Sequence, residues 1–168
     1  NAVKKSKIVL LEGYLWDKGD PKTAFDLAIQ YSSITAMSLS DIFCVERHKK
    51  DFLNLVKNKL DIIFANEQEM KSLSDANSFQ DIINFSKQIK KMFIITRGEN
   101  GAVLIFGEEI IECNVKKGLN IVDLTGAGDL FAAGFLHGYI NDFSFSKCLE
   151  NGNELSSKII QKIGARLD

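Results

Sequence analysis

The chain has 168 residues, enough for one domain with a sizeable core and too few for two comfortable ones. Hydrophobic residues make up 45% and charged residues 26%, an ordinary globular balance, and a formal net charge of −1 argues against nucleic acid or an anionic membrane as partner. The three cysteines, Cys44, Cys113 and Cys148, are widely spaced with no Cys-x-x-Cys pair, which argues against a disulfide scaffold or a zinc site and fits a reducing cytoplasm.

The opening "NAVKKSKIVLLEGYLW" sets lysines before apolar residues, but Glu12 breaks the run and makes it a poor signal peptide. No apolar run reaches the length needed to span a bilayer. The chain lacks an initiating Met and enters a strand almost at once, so it is expected to be a piece of something longer. Residues 7–16 are apolar and β-favouring, and "DKGDP" ends them with turn chemistry that places Pro21 to begin a helix. Residues 24–31 are helix-like and residues 34–40 form a buried strand. Phe52, Leu53, Leu55 and Val56 recur at helical spacing within residues 46–60, where "RHKK" makes a solvated face. His48 and His137 read as a surface residue and a helix residue, neither with a partner set that points to metal.

"DIIFAN" at residues 61–66 is a strand, followed by helical segments at 67–73 and 79–90. Residues 92–98 form another short apolar strand, and residues 102–115 a hairpin turning near Gly107. "NIVDLT" is strand-like, and two helices follow at 127–140 and 145–163. Neither an internal repeat nor a low-complexity tract nor a linker interrupts the series. Short apolar strands alternating with helices predict parallel strands joined by right-handed crossovers, an α/β three-layer αβα sandwich in one domain over residues 1–168. Ligands of such sheets gather beyond the carboxyl ends of the strands. The informative junctions are therefore residues 66–69, 96–101 and 123–129.

The last junction reads "DLTGAGDLFAAGF". Gly126, Ala127 and Gly128 open a helix, where unpaired N–H groups and the positive end of the helix dipole point outward. With side chains nearly absent, a phosphate can approach those groups closely. Asp129 in the first turn would stand beside such an anion, placed to accept a proton from an attacking hydroxyl. The alternative is a plain tight turn with Asp129 complementing the dipole. A dinucleotide fingerprint would need Gly where Phe131 stands, and a Walker loop would need Gly-Lys-Ser/Thr, which the sequence lacks.

"DLTGAGDLFAAGF" closely resembles the second signature of the ribokinase-like (phosphofructokinase B) family of carbohydrate and nucleoside kinases. It departs at Leu124, where the family usually has Thr, a side chain that is not the catalytic one. The resemblance implies that Asp129 is the catalytic base and that Gly126, Ala127 and Gly128 form the anion hole for the transferring phosphate. It implies ATP and Mg²⁺ as cofactors. Asn66 and Glu69 of "NEQE" match the family's Asn-x-x-Glu, which acts through water on the magnesium and phosphates; alternatively, Asn66 caps a helix and Glu69 completes a capping box. "TRGENGA" resembles the family's Thr-x-Gly-x-x-Gly, where Thr96 and Gly98 touch the nucleotide, although Gly98 and Gly101 also suit plain turns.

Towards the C-terminus, "NGNELSSKIIQKIGARLD" resembles the family's final helix and loop. That places Asn153 near the adenine-contacting position and the Gly164 loop beside Asp123 and Thr125, a pair implied to hold a monovalent cation such as K⁺. The alternative for Asp123 is a turn or cap residue. The stretch from Ser38 through "DIIFANEQE" resembles the adenosine-kinase branch. The matches correspond to the second half of a typical member, whose first half and lid carry most of the acceptor-recognising residues. The resemblance therefore implies a small sugar or nucleoside acceptor and a cytoplasmic kinase that needs its missing half, or self-association, for completeness. The rival reading is a non-catalytic nucleotide-binding or scaffold relative, against which the intact Asp129 and "NEQE" weigh.

Overall fold

The computed structural model describes residues 2–167. Six strands hydrogen-bond in chain order, giving an α/β protein with a mainly parallel sheet. The residues cluster into two compact units, Asn1–Ile95 with Ile105–Glu109, and Thr96–Leu104 with Ile110–Asp168.

In the first unit a single helical turn, α1 (Ala2–Lys5), precedes β1 (Val9–Glu12). β1, β2 (Thr35–Ser38) and β3 (Ile62–Asn66) are parallel, with Leu11 opposite Met37 and Met37 opposite Ile63. Ala36, Met37, Ile62 and Ile63 are buried, so these strands read as unbroken apolar runs and not as alternating ones. Asp61 fixes the entry to β3: its N–H donates to the Thr35 carbonyl at 2.9 Å, and its carboxylate accepts from the Thr35 N–H at 2.9 Å.

The helices of this unit begin where a side chain caps them. Asp20 caps α2 (Pro21–Tyr31), whose first residue is the proline expected to start it. Asp41 caps α3 (Ile42–Asn58), accepting from the Cys44 N–H at 2.6 Å, so this helix begins at Ile42 and not at residue 46. Asn66 and Ser78 build capping boxes on α4 (Glu67–Ser74) and α5 (Phe79–Ile89). The first strand also stops earlier than its composition predicts. Residues Gly13–Asp17 form a 3₁₀ turn because Tyr14 is drawn to the β2–α3 junction: its N–H donates to Ser40 Oγ at 3.2 Å and its hydroxyl to Asp41 at 2.7 Å. The predicted "RHKK" face lies on α3 and is only partly solvated, since Arg47 and His48 reach Asp17 and Lys49 reaches Asp75.

β4 (Met92–Thr96) leads through a 3₁₀ turn at Gly98–Asn100 to β5 (Ala102–Phe106), and a turn at Gly107 returns the chain as β6 (Glu109–Cys113), the expected hairpin. In the second unit, residues 120–125 are not a strand. The Val122 and Asp123 N–H groups both donate to the Ile160 carbonyl, at 2.8 and 3.2 Å, so a helix end takes the backbone that a sheet neighbour would have bound. The same arrangement ends α7 (Phe145–Ile159) short of residue 163.

α6 (Ala127–Ile140) packs on α7 almost backbone to backbone. A Cβ on Gly134 would lie 2.6 Å from the Asn151 carbonyl oxygen, and one on Gly152 would lie 2.9 Å from the Phe131 carbonyl oxygen. Phe131 and Phe135 fill the adjoining core, and His137 stands exposed, edge-on to Phe143. Gly134→Ala should therefore lower unfolding free energy by about 1–3 kcal/mol, the usual cost of forcing volume into a packed contact. Urea denaturation measures this; an unchanged midpoint would mean that the helices separate at no cost.

Candidate active site

In the first unit, the end of β3 delivers Asn66 and the first turn of α4 delivers Glu69. Asn66 Oδ1 accepts from the Glu69 N–H at 2.8 Å. In return, the Asn66 N–H and Nδ2 donate to the two oxygens of Glu69 at 2.9 and 2.6 Å. Asn66 is exposed, whereas Glu69 is 5% exposed. Burial pushes the Glu69 carboxyl up to about 7 against the pull of the Asn66 N–H, and the neighbouring Asp41 carboxylate pushes it the same way. The capping role anticipated for this pair is thus present in full, and it turns Glu69 inward.

In the second unit, Thr96 ends β4 and Gly98–Gly101 makes a tight loop. The Arg97 N–H donates to the Gly101 carbonyl at 2.7 Å, and the Gly101 N–H to the Gly98 carbonyl at 3.1 Å. Gly101 has φ +83° and lies against the Cys113 carbonyl so closely that no Cβ could be placed there.

The start of α6 differs from every other long helix described. α2, α3, α4, α5 and α7 each have a side-chain cap, and α6 has none. Its N-cap is Gly126 at φ +77°, a conformation that suits glycine, and a Cβ there would be 2.8 Å from that of Ala165. The Ala127 N–H is turned back to the Leu124 carbonyl at 3.1 Å. Around Gly128 nothing lies within 4 Å of a hypothetical Cβ, so a side chain there would meet open space. Asp129 is exposed and has no hydrogen bond or ion pair among the described residues.

Just before this turn, Asp123 Oδ1 accepts from the Thr125 N–H and hydroxyl at 2.9 and 2.7 Å, and Oδ2 accepts from the Gly164 N–H at 2.9 Å. These bonds, that from Gly164 foremost, hold the carboxyl below its ordinary range. The expected meeting of Asp123, Thr125 and the Gly164 loop therefore occurs, as does the turn role of Asp123. Asn153 lies on α7, 9% exposed, with Nδ2 donating to the carbonyls of Cys113 and Asn114 at 3.4 and 3.3 Å. It lines a cavity of about 230 Å³ together with Cys113, Lys116, Lys147 and Glu154.

A model of the pfkB family of carbohydrate kinases matches residues 1–168. The chain belongs to the pfkB carbohydrate kinase family. Among solved structures, an adenosine kinase from Sinorhizobium meliloti is 37% identical, covers 99% of the chain and superposes with a TM-score of 0.95. A probable sugar kinase from Rhizobium etli is 40% identical over 98% of the chain, with a TM-score of 0.92. The cytidine kinase of Thermococcus kodakarensis is 32% identical over 69% of the chain. The chain spans about half the length of these proteins: 52%, 51% and 42% respectively.

Within this pfkB chain, the first unit holds Asn66 and Glu69, and the second unit holds Thr96, Gly98, Gly101, Asp123, Thr125, Gly126, Ala127, Gly128, Asp129 and Asn153. No helix among the described residues is long and apolar enough to cross a membrane. One polar cluster was not anticipated. His48 is half-buried against Trp16 and Phe52, and its Nε2 lies 2.9 Å from Asp17. Its only signal in the sequence is that Cys44 and His48 stand one helical turn apart.

The raised Glu69 carboxyl has a consequence for stability. Folding favours the protonated form, so the associated stabilisation is complete below about 4.5 and is lost as pH rises through about 7. Each tenfold gain in proton affinity on folding is worth about 1.4 kcal/mol. The unfolding free energy of the native protein relative to Glu69→Gln should therefore fall by up to about 3 kcal/mol across that window. Urea denaturation of both proteins at pH 4.5 to 8 checks the sign; parallel profiles would show Glu69 ionised throughout.

Proposed function

We propose that this chain is the nucleotide-binding and phosphoryl-transferring half of an ATP-dependent kinase that phosphorylates a hydroxyl of a nucleoside or sugar. The observation that carries this reading is the bare start of α6, where a long helix has no side-chain cap, Gly128 has no neighbour within Cβ contact, and Asp129 is exposed in the first turn. A structural turn has no need of these features together. The similarity to an adenosine kinase over 99% of the chain, at 37% identity, supports the nucleoside branch.

In this reading ATP supplies the phosphoryl group, and a magnesium ion neutralises its charge when bound. The N–H groups that follow Gly126 receive the developing negative charge at the transferring phosphate. Asp129 orients the acceptor hydroxyl and takes its proton as the oxygen attacks. Asn66 and Glu69, joined by the capping box, are the residues that would hold a magnesium ion through water. Thr96, Gly98 and Gly101 contact the nucleotide along the loop after β4, and Asn153 lies at the base-binding end. Asp123 and Thr125 with the Gly164 loop form the place for a monovalent cation. Acceptor recognition comes chiefly from the remaining half of the protein, or from a second copy that completes the site, and the enzyme works in the reducing cytoplasm that suits its three free cysteines.

A screen of nucleosides and sugars with ATP and Mg²⁺, using this chain joined to the rest of a family-length protein, tests the reading. A phosphorylated nucleoside supports it; no turnover of any acceptor would favour a nucleotide-binding scaffold. In an active protein, Asp129→Asn should lower turnover about 10²–10⁴-fold with ATP affinity nearly intact. Activity within about twofold of the native level would remove Asp129 from the mechanism.

The two motif glycines should separate by what they disturb. Gly126→Ala should cost roughly 1–3 kcal/mol of stability through its left-handed backbone and the nearby Ala165. Gly128→Ala should leave stability unchanged or raise it by up to about 1 kcal/mol, yet impair ATP turnover. Equal thermal loss in both variants would contradict the anion-site assignment.

A further inference from the structure

We propose that Asp17, Cys44 and His48 form a binding site for a borderline-soft divalent cation of the zinc class, separate from the residues assigned to phosphoryl transfer. Asp17 closes the 3₁₀ turn after β1, while Cys44 and His48 stand four residues apart on α3 and project from the same face of that helix. One ligand atom from each lies within 4.8 Å of the other two. Donor atoms around a tetrahedral zinc ion sit roughly 3.5 Å apart, so an oxygen, a sulfur and a nitrogen are gathered to within about an ångström of binding distance. This mixed donor set suits zinc or cobalt better than magnesium or calcium, which take oxygen ligands.

The surroundings favour an ion on one side of the cluster. His48 Nε2 already points at Asp17 Oδ1, at 2.9 Å, whereas Arg47 holds Oδ2 at 2.7 Å and also reaches Oδ1 at 3.0 Å. An ion at Oδ1 leaves Arg47 its stronger contact on Oδ2. Helix α3 departs from helical dihedrals at His48 (φ −117°, ψ 19°). Trp16 and Phe52 border the imidazole, with ring centroids 6.1 and 5.8 Å away, and supply the apolar surround that strengthens metal–ligand bonds.

Cys44 is fully buried on α3. Binding forms a metal–sulfur bond and releases the thiol proton to solvent, and a water completes the coordination. The resulting link joins the turn after β1 to α3 across 31 residues of sequence.

The test is a titration of the metal-stripped protein with Co²⁺, followed by competition with Zn²⁺. The expected result is one equivalent bound and a sulfur-to-cobalt charge-transfer band in the near ultraviolet. Cys44→Ser should abolish the band, and Cys113→Ser and Cys148→Ser should keep it. Should Cys44→Ser fail to fold, Asp17→Asn and His48→Gln lie nearer the surface and should each weaken Co²⁺ binding by about tenfold or more. Absence of the band in the native protein, its loss in Cys113→Ser, or unchanged affinity in both Asp17→Asn and His48→Gln would overturn the assignment.

Discussion

The close approach of α6 to α7 is the constraint on which the second unit depends. Helix axes usually stand 8–10 Å apart, with side chains filling the space between them. Here Gly134 and Gly152 remove those side chains at facing positions, so the backbones meet directly. Dispersion is strongest at such short, extensive contacts, and the position of one helix then dictates that of the other. The N-terminus of α6 is held at one end of this rigid pair. The carbonyl of Ile160, just past α7, anchors the segment that enters the turn from the other side, through Val122 and Asp123.

A rigid frame of this kind matters because uncapped N–H groups are costly unless something satisfies them. Elsewhere the chain spends a side chain on each long helix: Asp20, Asp41, Asn66, Ser78 and Ser144. The start of α6 leaves that duty to water or to a ligand. Preorganised dipoles that need not move when charge arrives are an effective way to stabilise it. Asn66 shows the opposite arrangement, in which one amide both finishes a helix and remains exposed to solvent.

The parts of this architecture that depend on neighbours in sequence were legible in it. Buried parallel strands announce themselves as apolar runs, and the proline at the start of α2 and the hairpin at Gly107 follow from single residues. The glycine turn was readable for the same reason, since a left-handed Gly126 ahead of a helix without a side-chain cap needs only missing side chains and a helix start. What escaped depends on distant partners. "NIVDLT" has strand composition, but the Val122 and Asp123 N–H groups go to Ile160, and no local pattern encodes that choice. The early start of α3 follows from the Asp41 cap, which apolar periodicity does not register. His48 reads as one more charge in "RHKK" because Asp17 and Trp16 lie some thirty residues away.

The loop after β4 shows how a missing side chain can govern recombination between relatives. Gly98, Glu99 and Asn100 are exposed, so their side chains answer to solvent and to whatever binds there. Gly101 answers to the carbonyl of Cys113, a residue at the far end of the following hairpin. A graft of this loop from another protein can vary freely at its crest. At its base it must bring a glycine, or else bring the whole hairpin with it. The natural unit of exchange is therefore the stretch from Thr96 to Cys113, longer than the motif that a sequence signature would mark.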